Sequence, residues 1–371
     1  VNPRILLLVT DLQIGGTPTV VRELATRLHG RGNDVQVACL DAWGPTADAI
    51  AAAGVSVTAL NARGVFDVTV VARLGRLIHR EKIDVVLSFL MHANVTAAAV
   101  SRLFPHVRWL QSIQTTQPTP RWHWVLQGIA QHAAGKIIVP SESVAKAAID
   151  RSGVSPEKIV VIPNAVDVDS FAPLQRQPRG VTRVGFLGRL DPIKRVEDLI
   201  EAMTLLDETI SLQIFGDGPE RAKLEAQAAR LNLIATSNAR LQPNIGSPSD
   251  SSSRVIFHGA VASPREALAK IDLLVLPSAA EGFGLVLIEA MAAGVPVVAT
   301  NVAGIRDVIQ HDANGLLVPP GNPREIAGAI RRIFADEPLR NRLVKNGTAG
   351  VIERYDWRKI INQYESTLCH K

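Results

Sequence analysis

The sequence has only two cysteines, Cys39 and Cys369, and they stand in no metal-binding or redox spacing. That excludes a disulfide-stapled scaffold and a cysteine-ligated metal module, and it suits a reducing compartment. No run of ~18 apolar residues, the length needed to cross a bilayer, occurs. The longest candidate, Gly284 to Ala299, carries Glu289 in its interior. A leader pattern is missing at the start: Arg4-Ile5-Leu6-Leu7-Leu8-Val9 is too short, runs into a glycine loop and reads as a first β-strand. The spaced glycines of a dinucleotide fingerprint are absent too. Gly15 and Gly16 stand side by side, and Gly216-Asp217-Gly218 is followed by Arg221 where the third glycine belongs. No nucleic-acid reader motif is found, so a nucleic-acid partner is not expected.

What is present points to a large α/β protein. The chain has 371 residues, 47% hydrophobic and 20% charged, enough for two domains with substantial cores. Apolar runs alternate with helical stretches almost throughout, the pattern of doubly wound parallel sheets. Strands are expected at 4–9, 35–40, 55–60, 84–89, 107–112, 136–140 and 158–162. After a break at Pro163-Asn164-Ala165-Val166-Asp167 and a Pro/Gln/Arg-rich linker at 173–180, they resume at 182–187, 210–215, 255–258, 272–276, 296–300 and 315–318. Ser263-Pro264-Arg265-Glu266 and Asn322-Pro323-Arg324-Glu325 each place a cap residue, a proline and a glutamate at a helix start. Residues 235–254, rich in Ser, Asn and Pro, read as a surface insertion. A last helix, Asp356 to Leu368, carries Trp357, Ile360, Ile361 and Tyr364 on one stripe. The expected organisation is a Rossmann-like domain over 1–167, a second over 168–352, and a helix at 353–371 returning to the first.

Three segments could carry chemistry. Gly15-Gly16-Thr17-Pro18 follows the first strand, with Thr17 the expected cap of a helix begun by Pro18; glycine amides at a helix start suit an anion. Gly188-Arg189-Leu190-Asp191-Pro192-Ile193-Lys194 sets two cations at the end of a strand, where they could hold a diphosphate or merely be solvated. The third, Ser278 to Ala290, places Glu281 in a loop and Glu289 in the second turn of an apolar helix. An ionised carboxylate there costs several kcal/mol unless it is hydrogen-bonded. Ribose or sugar hydroxyls could supply the donors, and so could neighbouring backbone.

Glu281 and Glu289 reproduce the E-x7-E motif, and here the chain resembles the retaining GT-B glycosyltransferases of family 4. Phe-Gly-Asp-Gly-Pro at 215–219, Phe-His-Gly at 257–259, Asn-Gly-Leu-Leu-Val-Pro-Pro-Gly at 314–321 and Val-Ile-Pro-Asn-Ala-Val-Asp at 161–167 match as well. The resemblance covers nearly the whole chain. It implies two facing Rossmann-like domains, with Arg189 and Lys194 gripping the diphosphate of a nucleotide-sugar, UDP-linked by expectation. Glu281 would hold the transferred sugar, helped by the backbone of Phe283, Gly284 and Leu285, while Glu289 would bind ribose. Gly216, Asp217, Gly218, His258 and Gly259 would line the nucleotide pocket, and Gly15 and Gly16 would approach the diphosphate. It implies no cofactor and no metal, and no Asp-x-Asp pair follows a strand near the motif.

The family often carries a histidine at a strand end of its first domain. Here Gln114, in Ser112-Ile113-Gln114-Thr115, takes that place on the acceptor side, and His92 is the alternative. The net charge of +5 lies wholly in residues 1–165; the remainder is neutral. In that half Arg102, His106, Arg108, Trp109, Arg121, Trp122, His123 and Trp124 interleave basic and aromatic residues. They suit either ordinary packing or an anionic membrane surface. The resemblance favours bacterial envelope or exopolysaccharide enzymes with glycan or lipid-linked acceptors, cytoplasmic or peripheral on the inner membrane face. The fold also serves nucleotide-sugar epimerases and could serve an inactive binding scaffold; the complete set Arg189, Lys194, Glu281 and Glu289 argues against both.

Overall fold

A computed structural model describes residues 2–64, 67–117, 119–171, 182–234, 253–261 and 263–369. The linker expected at 173–180, and all of the insertion expected at 235–254 except Ser253 and Arg254, lie outside the described residues. The chain forms two compact units, residues 1–165 with 357–371 and residues 166–356.

The first unit opens with β1 (Arg4–Val9), α1 (Gly16–Gly30), β2 (Asp34–Cys39), α2 (Pro45–Ala52), β3 (Ser56–Ala59) and α3 (Thr69–Glu81). It continues through β4 (Val85–Phe89), α4 (Met91–Ser101), β5 (Arg108–Ser112), α5 (Arg121–Ala130), β6 (Lys136–Val139), α6 (Glu142–Ser152) and β7 (Ile159–Val161). Its parallel strands lie in the order β3-β2-β1-β4-β5-β6-β7. β4 is buried along its whole length and β1 from its second residue on, because helices cover both faces of the sheet.

The second unit holds β8 (Thr182–Leu187), α7 (Val196–Met203), β9 (Ile210–Phe215), α8 (Arg221–Arg230), β10 (Val255–Gly259) and α9 (Pro264–Leu268). Then follow β11 (Leu273–Leu276), α10 (Leu285–Ala292), β12 (Val297–Thr300), α11 (Ile305–Val308), β13 (Leu316–Val318), α12 (Pro323–Ala335) and α13 (Glu337–Arg354). The order is β10-β9-β8-β11-β12-β13, again all parallel. Both sheets are doubly wound, as the alternation of the sequence predicts. Of the two expected capping boxes, Asn322 does accept from the amide of Glu325, whereas Ser263 makes no side-chain cap bond.

The last helix, α14 (Trp357–Cys369), belongs to the first unit. Trp357, Ile360, Ile361, Tyr364 and Leu368 are buried, and burial of such side chains contributes roughly 1.5–3 kcal/mol each. Polar ties hold its other side: Arg31 reaches Glu365 at 2.6 Å and Asn362 at 2.7 Å, and the Arg108 guanidinium donates to the carbonyls of Leu368 and Thr367.

Candidate functional site

In the second unit the strand order reverses between β8 and β11. Loops leaving two such strands diverge, so a crevice opens outside their carboxyl ends, where open α/β sheets take ligands. The two motif segments are the loops of those two strands. They are tied together: the amide of Ala279 donates to the carbonyl of Ile193 at 2.8 Å. The Lys194 ammonium lies 2.5 Å from Glu281 Oε1, and the Ser278 hydroxyl donates to the same oxygen at 2.8 Å. Both charged side chains are largely withdrawn from water, at 22% and 12% exposure. Arg189 differs: it is 64% exposed and stands 2.8 Å from Asp191. The two cations expected on one diphosphate are therefore in unlike positions, each paired with a carboxylate but one open to solvent and one largely withdrawn from it.

Local sequence explains the shape of the Glu281 loop. Gly284 caps α10 in the left-handed region, where a side chain would also meet Leu287. Gly304, just before α11, lets the chain press against the Glu281 loop: a Cβ there would fall 2.3 Å from the Glu281 carbonyl oxygen. The sequence reading missed Gly304; its one local signal is a glycine at the start of a short helix. Phe283 turns its ring into the core, edge-on to Tyr355 at 5.3 Å, so only its backbone faces the loop. Glu289 sits in α10 at 7% exposure among Leu287, Ile288 and Ala290.

The turn after β9 completes this end of the sheet. Gly216 and Gly218 let it lie backbone to backbone on the Arg189 loop: a Cβ on Gly216 would fall 1.9 Å from the Gly188 carbonyl oxygen, and one on Gly218 2.6 Å from that of Leu190. The Leu190 amide donates to Asp217, and the Gly216 amide to Gly259 at the end of β10. Asp217 binds its own turn through the Gly218 amide at 2.8 Å and meets Arg221 at 3.3 Å. His258 stacks on Phe215 with ring centroids 4.3 Å apart and pairs with Gln213 at 2.7 Å. Desolvation, and then the Lys270 charge, hold its imidazole below the ordinary histidine range.

In the first unit the order reverses between β1 and β4. α1 begins at Gly16 with Gly15 as its cap, earlier than the expected start at Pro18 with Thr17 as cap. Pro18 falls inside the first turn, where a missing amide costs nothing. A Cβ on Gly16 would meet nothing within 4 Å, so packing inside this unit does not require a glycine there. His92 lies in the first turn of α4, its ring 5.6 Å from His123 and 6.3 Å from Trp122. Burial lowers its pKa, with the Asp41 charge opposing.

Gln114 donates to Ser112 at 2.7 Å and accepts from Asn164 at 3.3 Å. It lines a cavity of about 60 Å³ with Met91, Ser112, His123 and Trp124. A buried chain of side chains, Ser88 to Asn94 to Gln127 to Gln111, runs beside that cavity. His92 packs on His123, which lines the same cavity as Gln114; the sequence reading missed Asn94 and Gln127, whose amides look like ordinary helix surface in isolation.

The basic-aromatic cluster divides. Trp109 and Trp124 are core residues, Trp124 donating to the Gln117 carbonyl at 2.7 Å, and Arg108 serves α14. Trp122 remains 50% exposed, and the structure adds Val125 at 62% and Ile129 at 65% on the same face of α5. Among the described residues no group of three or more His, Cys, Asp or Glu could hold a metal ion, and no helix is long and apolar enough to cross a membrane.

Comparison with known proteins agrees with this architecture. Residues 14–170 match the family described as Glycosyltransferase Family 4, and residues 181–336 the one described as Glycosyl transferases group 1. The N-acetyl-alpha-D-glucosaminyl L-malate synthase of Bacillus anthracis is 33% identical over 176 residues, 47% of this chain and 42% of that protein. The phosphatidyl-myo-inositol mannosyltransferase of Mycobacterium leprae is 36% identical over 214 residues, 55% of this chain and 51% of that protein. The chain spans about half the length of the curated relatives it matches. The crystal structure of Anabaena HepE in complex with UDP-glucose aligns over 98% of this chain and 99% of that one, with a TM-score of 0.85 and 24% identity, a likeness of fold.

Proposed function

The chain belongs to the family 4 glycosyltransferases and has their GT-B fold, and from that premise we propose that it transfers a hexosyl or N-acetylhexosaminyl group from a UDP-sugar to an acceptor hydroxyl with retention. The observation that carries this reading is the Lys194–Glu281 ion pair joining the loops of the two strands where the second sheet reverses, with Arg189 exposed on the Lys194 loop. Arg189 and Lys194 hold the diphosphate and stabilise it as it leaves with negative charge. Glu281 holds the transferred sugar, Glu289 the ribose, and the Gly216–Gly218 turn with His258 and Gly259 lines the nucleotide. The sugar's bond to the phosphate oxygen breaks as its bond to the acceptor oxygen forms on the same face. The departing phosphate oxygen takes the acceptor proton, so no protein base on the far face is needed. In the first unit Gly15 and Gly16 are assigned to the diphosphate, and Gln114, with His92 as the alternative, to the reacting sugar.

Calorimetry with UDP-, GDP-, ADP- and dTDP-sugars tests the donor class, and UDP-sugars are expected to bind best. Arg189→Ala and Lys194→Ala should each weaken donor binding or turnover by about 1.5–3 kcal/mol, the scale of a hydrogen bond to a charged group. A double variant with full activity would place the diphosphate elsewhere. Turnover of donor to an epimer without acceptor, or binding without turnover, would favour the epimerase or scaffold reading instead.

The acceptor is proposed to be a glycan or lipid-linked molecule of bacterial envelope or exopolysaccharide synthesis, met at the inner membrane face. Support comes from α5, whose Trp122, Val125 and Ile129 form an exposed apolar ridge beside Arg121. Residues 85–141, which contain it, include no aspartate or glutamate. Vesicles containing phosphatidylglycerol should bind the protein, less at high salt, while phosphatidylcholine vesicles should not. Val125→Glu with Ile129→Glu should lower that binding about tenfold or more and leave donor affinity unchanged. Equal vesicle binding by the variant would remove α5 from the membrane contact.

A further inference from the structure

Ser278 lies two residues past the end of β11 as the chain turns toward Glu281, and it is fully buried. Its hydroxyl donates to Glu281 Oε1, the oxygen that also receives the Lys194 ammonium. The Ser278 carbonyl in turn accepts from the Thr300 hydroxyl at 2.5 Å, and Thr300, the last residue of β12, is fully buried as well. Two unlike donors therefore share one carboxylate oxygen. One sits on a short side chain locked between two strand ends. The other sits on a flexible four-carbon stem, strongly attracted to any phosphate that arrives.

On the reading of Glu281 as the sugar-binding carboxylate, we propose that Ser278 is a positioning residue that holds Glu281 in place when Lys194 engages the diphosphate. Without Ser278, part of the hold on the Oε1 oxygen would move with the ammonium as it shifted toward a doubly charged ligand. Ser278 does not move with the donor, because Thr300 fixes its backbone, and its hydroxyl stays on Oε1. The sugar then keeps its orientation at the moment charge develops, when misplacement by a fraction of an ångström is costly. Thr300 acts one step further back, through the backbone of Ser278.

The test is a double-mutant cycle on the full chain, with Ser278→Ala, Glu281→Gln and their combination. Measured quantities are kcat, KM for the donor, calorimetric affinity for UDP, thermal midpoint, and the share of donor lost to water. Ser278→Ala should lower kcat by about 10- to 100-fold, the range of a hydrogen bond to a charged group. It should leave UDP affinity within about twofold and raise the hydrolysed share, since a loosely held sugar admits water. In the Glu281→Gln background the same change should cost less than about threefold, because the oxygen it serves has lost its charge. Ser278→Cys, with a weaker donor of similar size, should fall between.

An equal cost of Ser278→Ala in both backgrounds, or a parallel loss of UDP affinity and thermal midpoint, would show that Ser278 supports the loop's fold and would overturn the inference. Full activity of Glu281→Gln itself would reject the reading of the site and this inference with it. A slow Glu281→Gln with an independent Ser278 effect would reject the inference alone.

Discussion

Replacing Glu281 by glutamine is expected to lower kcat on the order of 100-fold while leaving the affinity for UDP within about threefold. Free UDP has no sugar, so a carboxylate that serves the sugar contributes nothing to its binding. The loss appears where the sugar ring changes charge and shape, which is a transition-state effect. Glutamine keeps the size and one acceptor but loses the charge that Lys194 faces at 2.5 Å. Lys194→Ala combined with Glu281→Gln should therefore cost less than the two single changes added together. Glu289→Gln should behave in the opposite way, weakening UDP by roughly tenfold or more because ribose is the same before and after the reaction. Calorimetry with UDP beside steady-state kinetics reads both effects. Loss of UDP binding in Glu281→Gln with unchanged binding in Glu289→Gln would reverse the assigned roles.

Gly216→Ala is expected to be the most damaging small substitution in the second unit. The residue lies at φ 146°, a conformation L side chains rarely adopt, and its Cβ would stand 1.9 Å from the Gly188 carbonyl oxygen. That neighbour is backbone and cannot rotate away, so the β8 and β9 loops must part. Overpacking and backbone strain together cost about 3 kcal/mol. For a unit of this size that corresponds to a fall of roughly 6–12 °C in the thermal midpoint. Because the displaced loop carries Arg189 and Lys194, donor affinity should fall with it. Gly16→Ala is the control, since its Cβ would meet nothing within 4 Å; it should leave the midpoint within about 1 °C. A Gly216→Ala protein as stable as the parent would show that the two loops are not held in contact in solution.

Much of this was legible before folding. The stretches at 84–89 and 158–162 both read as parallel strands; β4 is buried along its length, while β7, at the edge of its sheet, is only half-buried. The spacing of Glu281 and Glu289 across a glycine-bounded helix start places one in a loop and the other in the second turn, as found. Trp357, Ile360, Ile361 and Tyr364 fall on one stripe of α14 by periodicity alone, and all are buried. Elsewhere the sequence left alternatives that partners far along the chain decide. The basic-aromatic cluster suits either packing or a surface in sequence; Trp109 and Trp124 point inward and Arg108 binds the end of α14, some 260 residues away. The start of α1 also moved, because a proline is tolerated anywhere in a first turn and does not mark its first residue.

The sequence by itself determined the class of fold, the family and the identity of the charged residues, because these rest on local period, spacing and residue type. Which strands flank each reversal was decided only by the tertiary structure, since strand order is a matter of long-range pairing. It put the Arg189 and Glu281 loops side by side, committed Lys194 and Ser278 to one carboxylate oxygen, and made Gly216 and Gly304 necessary through backbone contacts no local pattern encodes. Most contacts of this kind join residues tens of positions apart, and their energy depends on ångström distances that exist only once the sheet has formed.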